Sequence, residues 1–252
     1  MKVGYAILYT DGELVISKNH SLLYKKVIKN YGKFEDTNVP WKKESEQIEK
    51  VQILDQVKSN CMSEWFNDCI NLTTLIDFKN LDVSNCTDFS FMFRNCESLQ
   101  NLNGLQNWNV SNGVDFSKMF AFCESVQNIN ALKNWDVYNG TDFSCMFENC
   151  QALQNINALK TWNVSNGKDF SCMFASCKSL QDLNGLQNWN VSNCVDFSGM
   201  FYHCNALEEI LLSNTLDILT KDMFYQCNQN LKIHWNEHTY TYADLLEYEK
   251  IC

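Results

Sequence analysis

A segment of 27 residues recurs with little change between residues 92 and 204. Each copy begins with a Met-Phe pair, has a cysteine four residues after the methionine, and carries a tryptophan midway to the next pair. Periods of roughly 20 to 50 residues are typical of stacked structural units, because one unit cannot bury its apolar face alone. The repeat therefore predicts a quasi-linear array in which each unit contacts its neighbours.

Within each unit, apolar residues are spaced by three, which matches neither a long strand nor a long helix. In the first full copy these residues are Leu99, Leu102, Leu105 and Trp108. The spacing predicts a coiled backbone with a short β-strand centred on Leu102, a turn at residues 103–104 and an extended arm. Asp115 would then open a single helical turn that contains Met119 and Phe120.

The two ends of the chain depart from the repeat. Apolar runs at residues 5–9 and 14–17 flank Asp-Gly, which predicts a β-hairpin with a two-residue turn. Residues 21–30 have apolar side chains at helical spacing with Gly32 as a stop, and a strand is expected at residues 51–54. We therefore predict an amino-terminal cap of hairpin, helix and first strand (1–60), a solenoid (61–204), and a degenerate last repeat with a carboxy-terminal cap (205–252).

Charge and hydropathy exclude several classes of partner. The formal net charge of −10 disfavours binding to nucleic acid or to an anionic membrane. No apolar stretch is long enough to span a bilayer. The apolar run near the amino terminus is too short for a signal peptide, which favours a cytoplasmic protein if Met1 is the native start.

The repeat also resembles a known family. Residues 108–123 read W-N-V-S-N-G-V-D-F-S-K-M-F-A-F-C, which is similar to the bacterial BspA-type leucine-rich repeats of surface-protein and mycoplasma-lipoprotein families. The resemblance implies an α/β fold: a right-handed leucine-rich-repeat solenoid with 27-residue coils, short parallel strands and short helical turns, capped at both ends. It further implies adhesion or protein binding at the cell surface or after secretion.

One row of cysteines recurs through the array, at Cys96, Cys123, Cys150, Cys177 and Cys204. Equivalent residues of neighbouring coils should lie about 4.8 Å apart with parallel Cβ vectors, whereas a disulfide needs Cβ atoms that turn towards each other. We therefore expect free thiols that fill the core as small apolar side chains.

One row of aspartates recurs in the same way, at Asp88, Asp115, Asp142, Asp169 and Asp196. Each precedes Phe-Ser and the predicted helical turn, which is the position of an N-cap. Calcium held between the carboxylates is the alternative interpretation. His234 and His238 have the spacing of half a zinc site, but the alternating pattern around His234 predicts a strand that would separate them. No metal and no cofactor are predicted.

Two rows of asparagine flank the predicted strand, and neither contains the tryptophan, tyrosine or arginine side chains typical of binding hot spots. Their members are Asn101, Asn128, Asn155 and Asp182 in one row, and Asn103, Asn130, Asn157 and Asn184 in the other. One row could bond between coils while the other faces solvent. Positions that vary between units lie instead beside the Met-Phe pair, at Phe91, Lys118, Cys145, Cys172 and Gly199 in one row and Phe122, Asn149, Ser176 and His203 in another.

These features predict a monomeric, non-catalytic interaction module, with adhesion as one form, that binds an unknown protein or glycan partner. Recognition is expected at the varying positions or the aromatic carboxy-terminal cap, with Phe122, His203, Trp235, Tyr240 and Tyr242 as binding residues. A structural spacer or assembly element without a selective ligand is the alternative. An enzyme is the weakest interpretation, because no cysteine is accompanied by the histidine and orienting residue that a nucleophile requires.

Overall fold

The computed structural model describes residues 2–19, 25–211, 222–235 and 238–244. Its strands are β1 (Lys2–Tyr9), β2 (Glu13–Ser17), β3 (Val27–Glu35), β4 (Lys50–Ile53), β5 (Val57–Lys58), β6 (Thr74–Ile76), β7 (Leu81–Asp82), β8 (Glu209–Leu211), β9 (Lys232–Trp235) and β10 (His238–Thr241). Its 3-10 helices are Lys42–Gln47, Phe78–Asn80, Asn130–Leu132, Asn157–Thr161 and Asn184–Leu186. The fold is therefore strand-rich with few helices.

A mixed sheet joins the amino-terminal region to the repeats. Its strand order is β3-β1-β2-β4-β6. The first three strands are antiparallel, whereas β2 pairs with β4 and β4 with β6 in parallel. The hairpin sheet thus continues directly into the first stacked units, with β5 and β7 forming a second parallel pair beside them.

The prediction of a helix at residues 21–30 is wrong for residues 25–30, the described part of that segment. Residues 27–35 form β3, which pairs with β1. Gly32 lies inside this strand with φ +65° and does not stop a helix. Ala6 pairs with Gly32 and Ile7 with Asn30, so Tyr31 is an extra residue and the strand carries a bulge, where glycine tolerates positive φ. Sheet pairing has overridden the helical spacing. Residues 21–24 lie outside the described residues.

The turn between β1 and β2 has three residues, 10–12, instead of the predicted two. The amide of Gly12 donates to the carbonyl of Tyr9 over 3.1 Å, and Gly12 has φ +76°. Lys25 reinforces the turn through ion pairs with Asp11 and Glu13. The Asp-Gly signal located the hairpin but not the length of its turn.

The strand predicted at Leu102 is absent: residues 83–208, all of them described, contain no strand. The buried leucines instead lie on consecutive turns, in which the amide of Leu105 donates to Leu102 over 3.2 Å and that of Trp108 to Leu105 over 3.1 Å. Turns closed every three residues explain the spacing of the apolar side chains. Parallel pairing between repeats survives as single bridges, Asp88 to Asp115, Asp115 to Asp142, Asp142 to Asp169 and Asp169 to Asp196.

The single helical turn expected around Met119 and Phe120 is also wrong. Alternate amides point to the next repeat, as when Lys118 donates to Ser144 over 2.9 Å and Phe120 to Met146 over 2.9 Å. The intervening amides close local turns, such as Met119 to the carbonyl of Phe116 over 3.2 Å. A helical turn keeps φ negative, whereas Lys118 and Phe122 have φ 55° and 61°, so stacking of the repeats replaces the helix.

Equivalent aromatic rings form columns through one continuous core that extends from Val3 to Ile233. In two phenylalanine columns, which begin at Phe66 and Phe89, successive ring centroids lie 5.2 to 5.8 Å apart. Four tryptophans of the repeats also donate their indole N–H over 2.9 to 3.0 Å to a carbonyl of the preceding repeat, Trp108 to Phe78, Trp135 to Leu105, Trp162 to Leu132 and Trp189 to Leu159.

The array ends on a small sheet in the order β10-β9-β8. Phe224 continues the phenylalanine column with its centroid 5.4 Å from that of Phe201, so the shortened last unit stacks in register. Among the residues described, no helix is both long enough and apolar enough to cross a bilayer.

Candidate functional site

Each repeat has two residues with positive φ, four positions apart, that line one edge of the array. We call this edge, formed by the five-residue segments that these residues bound, the turn edge. Its segments are 64–68, 91–95, 118–122, 145–149, 172–176, 199–203 and 222–226. Residues with β-branched side chains would be strained at the bounding positions, and none occurs there.

The backbone explains why the turn edge varies. The amides of Lys118 and Phe122 donate to the next repeat, to Ser144 over 2.9 Å and to Glu148 over 2.7 Å. These main-chain bonds stabilise the left-handed conformation of the two residues. The side chains at such positions are not needed to fill the core, so they can differ between repeats. Both varying rows of the sequence coincide with these positive-φ positions.

Near its amino-terminal end, the turn edge is covered by side chains from neighbouring repeats that contact one another. The Arg94 guanidinium lies 5.6 Å from the ring centroid of Phe122 and 3.5 Å from the Oδ1 of Asp68. The side-chain Nδ2 of Asn95 donates to the same oxygen over 3.1 Å. Phe122 is consequently half-buried beneath a cation, which leaves little free aromatic surface there.

Near its carboxy-terminal end, the turn edge presents a tyrosine cluster of Tyr202, His203, Tyr225, Gln226 and Tyr242. Tyr202 stacks on Tyr225 with centroids 5.8 Å apart and meets His203 edge-on at 5.9 Å. The Tyr202 hydroxyl donates to Gln226 Oε1 over 2.9 Å, and the Gln226 amide donates to the Tyr242 hydroxyl over 3.0 Å. Tyr225 remains 43% exposed. Tyrosine is among the residue types enriched in binding hot spots.

The structure separates the five predicted binding residues. His203 and Tyr242 join the tyrosine cluster, whereas Phe122 lies three repeats away from it. Tyr240 lies on β10 and packs partly against the core. Trp235 ends β9, where its backbone pairs with that of His238.

Sequence reasoning missed Tyr202 and Tyr225 as site residues. A third varying row holds Tyr202, and its members are Arg94, Ala121, Glu148, Ala175 and Tyr202. An aromatic residue at the end of a varying row was the available signal.

The aspartate row closes short side-chain turns within each repeat. Each Oδ1 accepts the amide of the serine two residues later over 2.7 to 2.9 Å, in the pairs Asp88–Ser90, Asp115–Ser117, Asp142–Ser144, Asp169–Ser171 and Asp196–Ser198. Each aspartate therefore forms an Asx-turn with the serine two residues later. It does not cap a helix, because no helix follows it. Burial raises the pKa of Asp115, and the neighbouring Asp142 and Asp88 raise it further.

Replacing Asp115 by asparagine is expected to cost less stability than replacing it by alanine, which should cost about 1 kcal/mol. Asparagine keeps the oxygen that accepts the Ser117 amide. Because the folded pKa of Asp115 is raised, its carboxyl favours folding only while protonated, and this contribution is lost as the pH rises through the folded pKa. In urea unfolding, the free energy of unfolding of the asparagine variant, taken relative to that of the wild type, should therefore be higher at pH 7 than at pH 3. Lower wild-type melting after addition of a chelator would support calcium instead.

The cysteine row is buried and bonded to the backbone. Each Sγ donates over 3.1 to 3.3 Å to a phenylalanine carbonyl of the preceding repeat, in the pairs Cys96–Phe66, Cys123–Phe93, Cys150–Phe120, Cys177–Phe147 and Cys204–Phe174. Burial raises the pKa of Cys123 to about 12 and raises that of Cys150 well above its usual value. These thiols are poor nucleophiles, since the thiolate is the reactive form.

Thiol titration should find few reactive groups in the native protein and all thirteen after denaturation. The half-exposed Cys61, Cys145 and Cys172 should account for the reactive groups among the described residues, because the buried row is both inaccessible and protonated. Mass spectrometry of the labelled peptides identifies the sites. Disulfide pairing along the buried row would contradict the expectation.

Neither predicted row of asparagine side chains forms hydrogen bonds between repeats. The side chains of Asn101, Asn128 and Asn155 accept amides two residues later in their own repeat, and the second row is exposed. Inter-repeat bonding comes from a third row of asparagine amides that donate over 2.7 to 2.9 Å, in the pairs Asn112–Ser84, Asn139–Ser111, Asn166–Tyr138 and Asn193–Ser165.

His234 belongs to a surface network across the terminal sheet. Its Nε2 lies 2.6 Å from Glu209 Oε1, and its Nδ1 lies 2.9 Å from Thr239 Oγ1. In the pairing of β9 with β10, His234 lies opposite Thr239, and His238 lies opposite Trp235 at the adjacent position. The Glu209 side chain is 66% exposed, so solvent screens this network. Across the described ranges, no three histidine, cysteine or acidic residues are grouped to hold a metal ion.

Comparisons with known proteins place this repeat in a family. A leucine-rich repeat protein from Eubacterium ventriosum is 12% identical, covers 93% of this chain and 82% of its own, and has a TM-score of 0.26. Another from Bacteroides ovatus is 14% identical, covers 92% of this chain and 69% of its own, and has a TM-score of 0.30. These are weak superpositions, and no curated protein matches the chain.

The family assignment therefore rests on a sequence model, described as "Mycoplasma protein of unknown function, DUF285", that matches residues 60–184 and 122–236. The two matches together span residues 60–236, more than half of the chain. They confirm the mycoplasma part of the resemblance seen in the repeat. The chain belongs to the DUF285 family of mycoplasma proteins of unknown function.

Proposed function

We propose that this chain is a right-handed leucine-rich-repeat solenoid of the BspA type that acts, as a monomer, as a non-catalytic protein-interaction module. Its 27-residue coils would occupy residues 61–204, with caps in residues 1–60 and 205–252. Bonds and ring contacts between residues one repeat apart support this architecture. Because each repeat contacts only its neighbours, such an array exposes long continuous surfaces to a partner.

The tyrosine cluster is the observation that carries the proposal. Protein interfaces draw most of their binding energy from a few tyrosine, tryptophan and arginine side chains, and Tyr202 and Tyr225 are such side chains with part of their rings exposed. The two asparagine rows contain none of these three residue types. We therefore assign recognition of a protein partner to the carboxy-terminal end of the turn edge, and an adhesion role would use the same surface.

A structural spacer remains the competing function. It is favoured by the repeated hydrogen bonds of Asn139 and Asn166 to the preceding repeats, which stiffen the array without presenting a selective surface. Catalysis has less support, since burial raises the pKa of Cys123 and Cys150 and each of these thiols donates to a backbone carbonyl and not to a base. The two leading functions differ in whether the tyrosine cluster affects binding.

The test uses the full chain as immobilised bait with three matched proteins: wild type, a Tyr202→Ala/Tyr225→Ala variant, and an Asn128→Ala/Asn155→Ala control. Partners captured by the wild type and the asparagine control, but lost with the tyrosine variant, would support the proposed interface. For a purified partner we expect at least about a 30-fold loss of affinity with the tyrosine variant, equivalent to about 2 kcal/mol. The asparagine control should stay within about threefold.

Circular dichroism establishes that all three proteins are folded. Equal capture by all three would remove the tyrosine cluster from the interface. Binding lost only with the asparagine control would move the site to the repeated face. Absence of any partner that distinguishes the variants would favour the spacer.

A further inference from the structure

Two cysteines occupy the turn edge in adjacent repeats, apart from the buried cysteine row. Cys145 and Cys172 are equivalent residues 27 positions apart, and both are half-exposed. Both have left-handed backbone conformations, with φ 54° and 53°. They are therefore accessible to reagents that the buried thiols cannot meet.

The backbone brings the two residues side by side. The Cys145 amide donates to the carbonyl of Ser171 over 2.8 Å, and Ser171 directly precedes Cys172. Main chains joined in this way lie about 4.8 Å apart, which is within the Cα separation of about 4.4 to 6.8 Å that disulfides span. Because the two side chains leave similar backbones in parallel, bond formation requires the two sulfur atoms to rotate towards each other and the two Cβ atoms to move closer together.

The neighbours of the pair set the direction of this rotation. The Cys172 Sγ donates to the carbonyl of Ser198 over 3.7 Å and lies beside Gly199, where an added Cβ would meet it at 3.2 Å, so the sulfur turns away from that repeat to reach Cys145. On the other side, the Lys118 ammonium lies 5.1 Å from the ring centroid of Phe91, in the repeat that precedes its own. The cysteine pair is thus bounded by a glycine and by a lysine with its ammonium directed to the preceding repeat.

The two thiols also differ in acidity. Hydrogen bonding from the Cys145 thiol lowers the pKa of Cys172, against opposing effects of burial and of the carboxylates of Glu148, Asp196 and Asp169. The pKa of Cys145 is raised by the same thiol contact, by burial and by Glu148. Cys172 is therefore the better nucleophile, and Cys145 lies beside it as the resolving thiol.

We propose that Cys145 and Cys172 form a redox-active dithiol that exchanges with low-molecular-weight disulfides and closes as a bond between adjacent repeats. The Cys172 thiolate attacks one sulfur of the small disulfide, forms a mixed disulfide and releases one small thiolate. Cys145 then loses its proton to solvent and attacks the Cys172 sulfur, which displaces the second small thiolate. Two protein thiols are oxidised and one small disulfide is reduced to two thiols.

The experiment incubates the native full chain with oxidised glutathione, quenches with acid, alkylates the remaining thiols under denaturing conditions and maps the peptides. The wild type should yield a cross-linked Cys145–Cys172 peptide that disappears with dithiothreitol. The Cys145→Ser variant should instead accumulate one glutathione at Cys172, and the Cys172→Ser variant should lose the cross-link. Cys61→Ser, which removes another half-exposed thiol, is the matched control and should leave the cross-link unchanged.

Rates provide a second measurement. We expect Cys172 to react with iodoacetamide at neutral pH about tenfold faster than Cys61, because the thiolate is the nucleophile and burial raises the pKa of Cys61. Protection of the buried cysteine row shows that each variant is folded. Stable glutathione on wild-type Cys172 without a cross-link would overturn the proposal, and so would no reaction at either residue.

Discussion

Replacing Trp41 by alanine is expected to lower the free energy of unfolding by about 3 to 5 kcal/mol. Trp41 is only 1% exposed, and its ring meets those of Phe34 and Trp65 with centroids 5.0 and 5.8 Å away. Its indole N–H donates to the carbonyl of Trp65 over 2.6 Å. The substitution therefore leaves both a cavity and an unpaired buried carbonyl. Urea unfolding followed by circular dichroism measures the loss.

Trp41→Phe is the matched control, because it keeps most of the apolar volume and removes only the indole N–H. Its cost should be smaller, about 1 to 3 kcal/mol for the unsatisfied carbonyl and the reduced packing. A Trp41→Ala variant as stable as the wild type would show that this aromatic cluster does not hold the amino-terminal sheet to the first repeat.

Phe147→Ala is expected to cost a similar 3 to 5 kcal/mol in the middle of the array. Phe147 is fully buried, and its ring stacks between those of Phe120 and Phe174 with both centroids 5.6 Å away. The alanine would open a cavity that borders two inter-repeat contacts, so neighbouring repeats should be destabilised together. Hydrogen exchange of amides in the adjacent repeats would detect this, alongside urea unfolding.

Phe122→Ala provides the comparison for Phe147→Ala, since it removes the same side chain from the turn edge. Phe122 is half-buried beneath Arg94, and we expect a loss of no more than about 1 kcal/mol from this contact. Equal losses in the two variants would show that the turn edge is part of the core and would weaken its assignment to recognition.

The repeat period alone determined which residues meet in the folded chain. A strict interval of 27 residues puts like residues on neighbouring units, so the burial of the phenylalanine, tryptophan and cysteine columns followed from spacing and side-chain chemistry. Each aspartate accepts the amide of the serine two residues later, because short polar side chains of this kind close local turns, although the helix that it was predicted to cap does not form. These features depend on contacts that recur in every unit.

Tertiary structure decided what the repeat pattern could not. Residues 27–35 became a strand because β1 offered backbone partners, although their apolar spacing favoured a helix. Alternate amides near Met119 bond to the next repeat, which prevents a helical turn and imposes positive φ along the turn edge. The tyrosine cluster combines residues from two repeats and the terminal region. Hydrogen bonds and contacts between distant segments set these features, so the apolar spacing within one segment did not predict them.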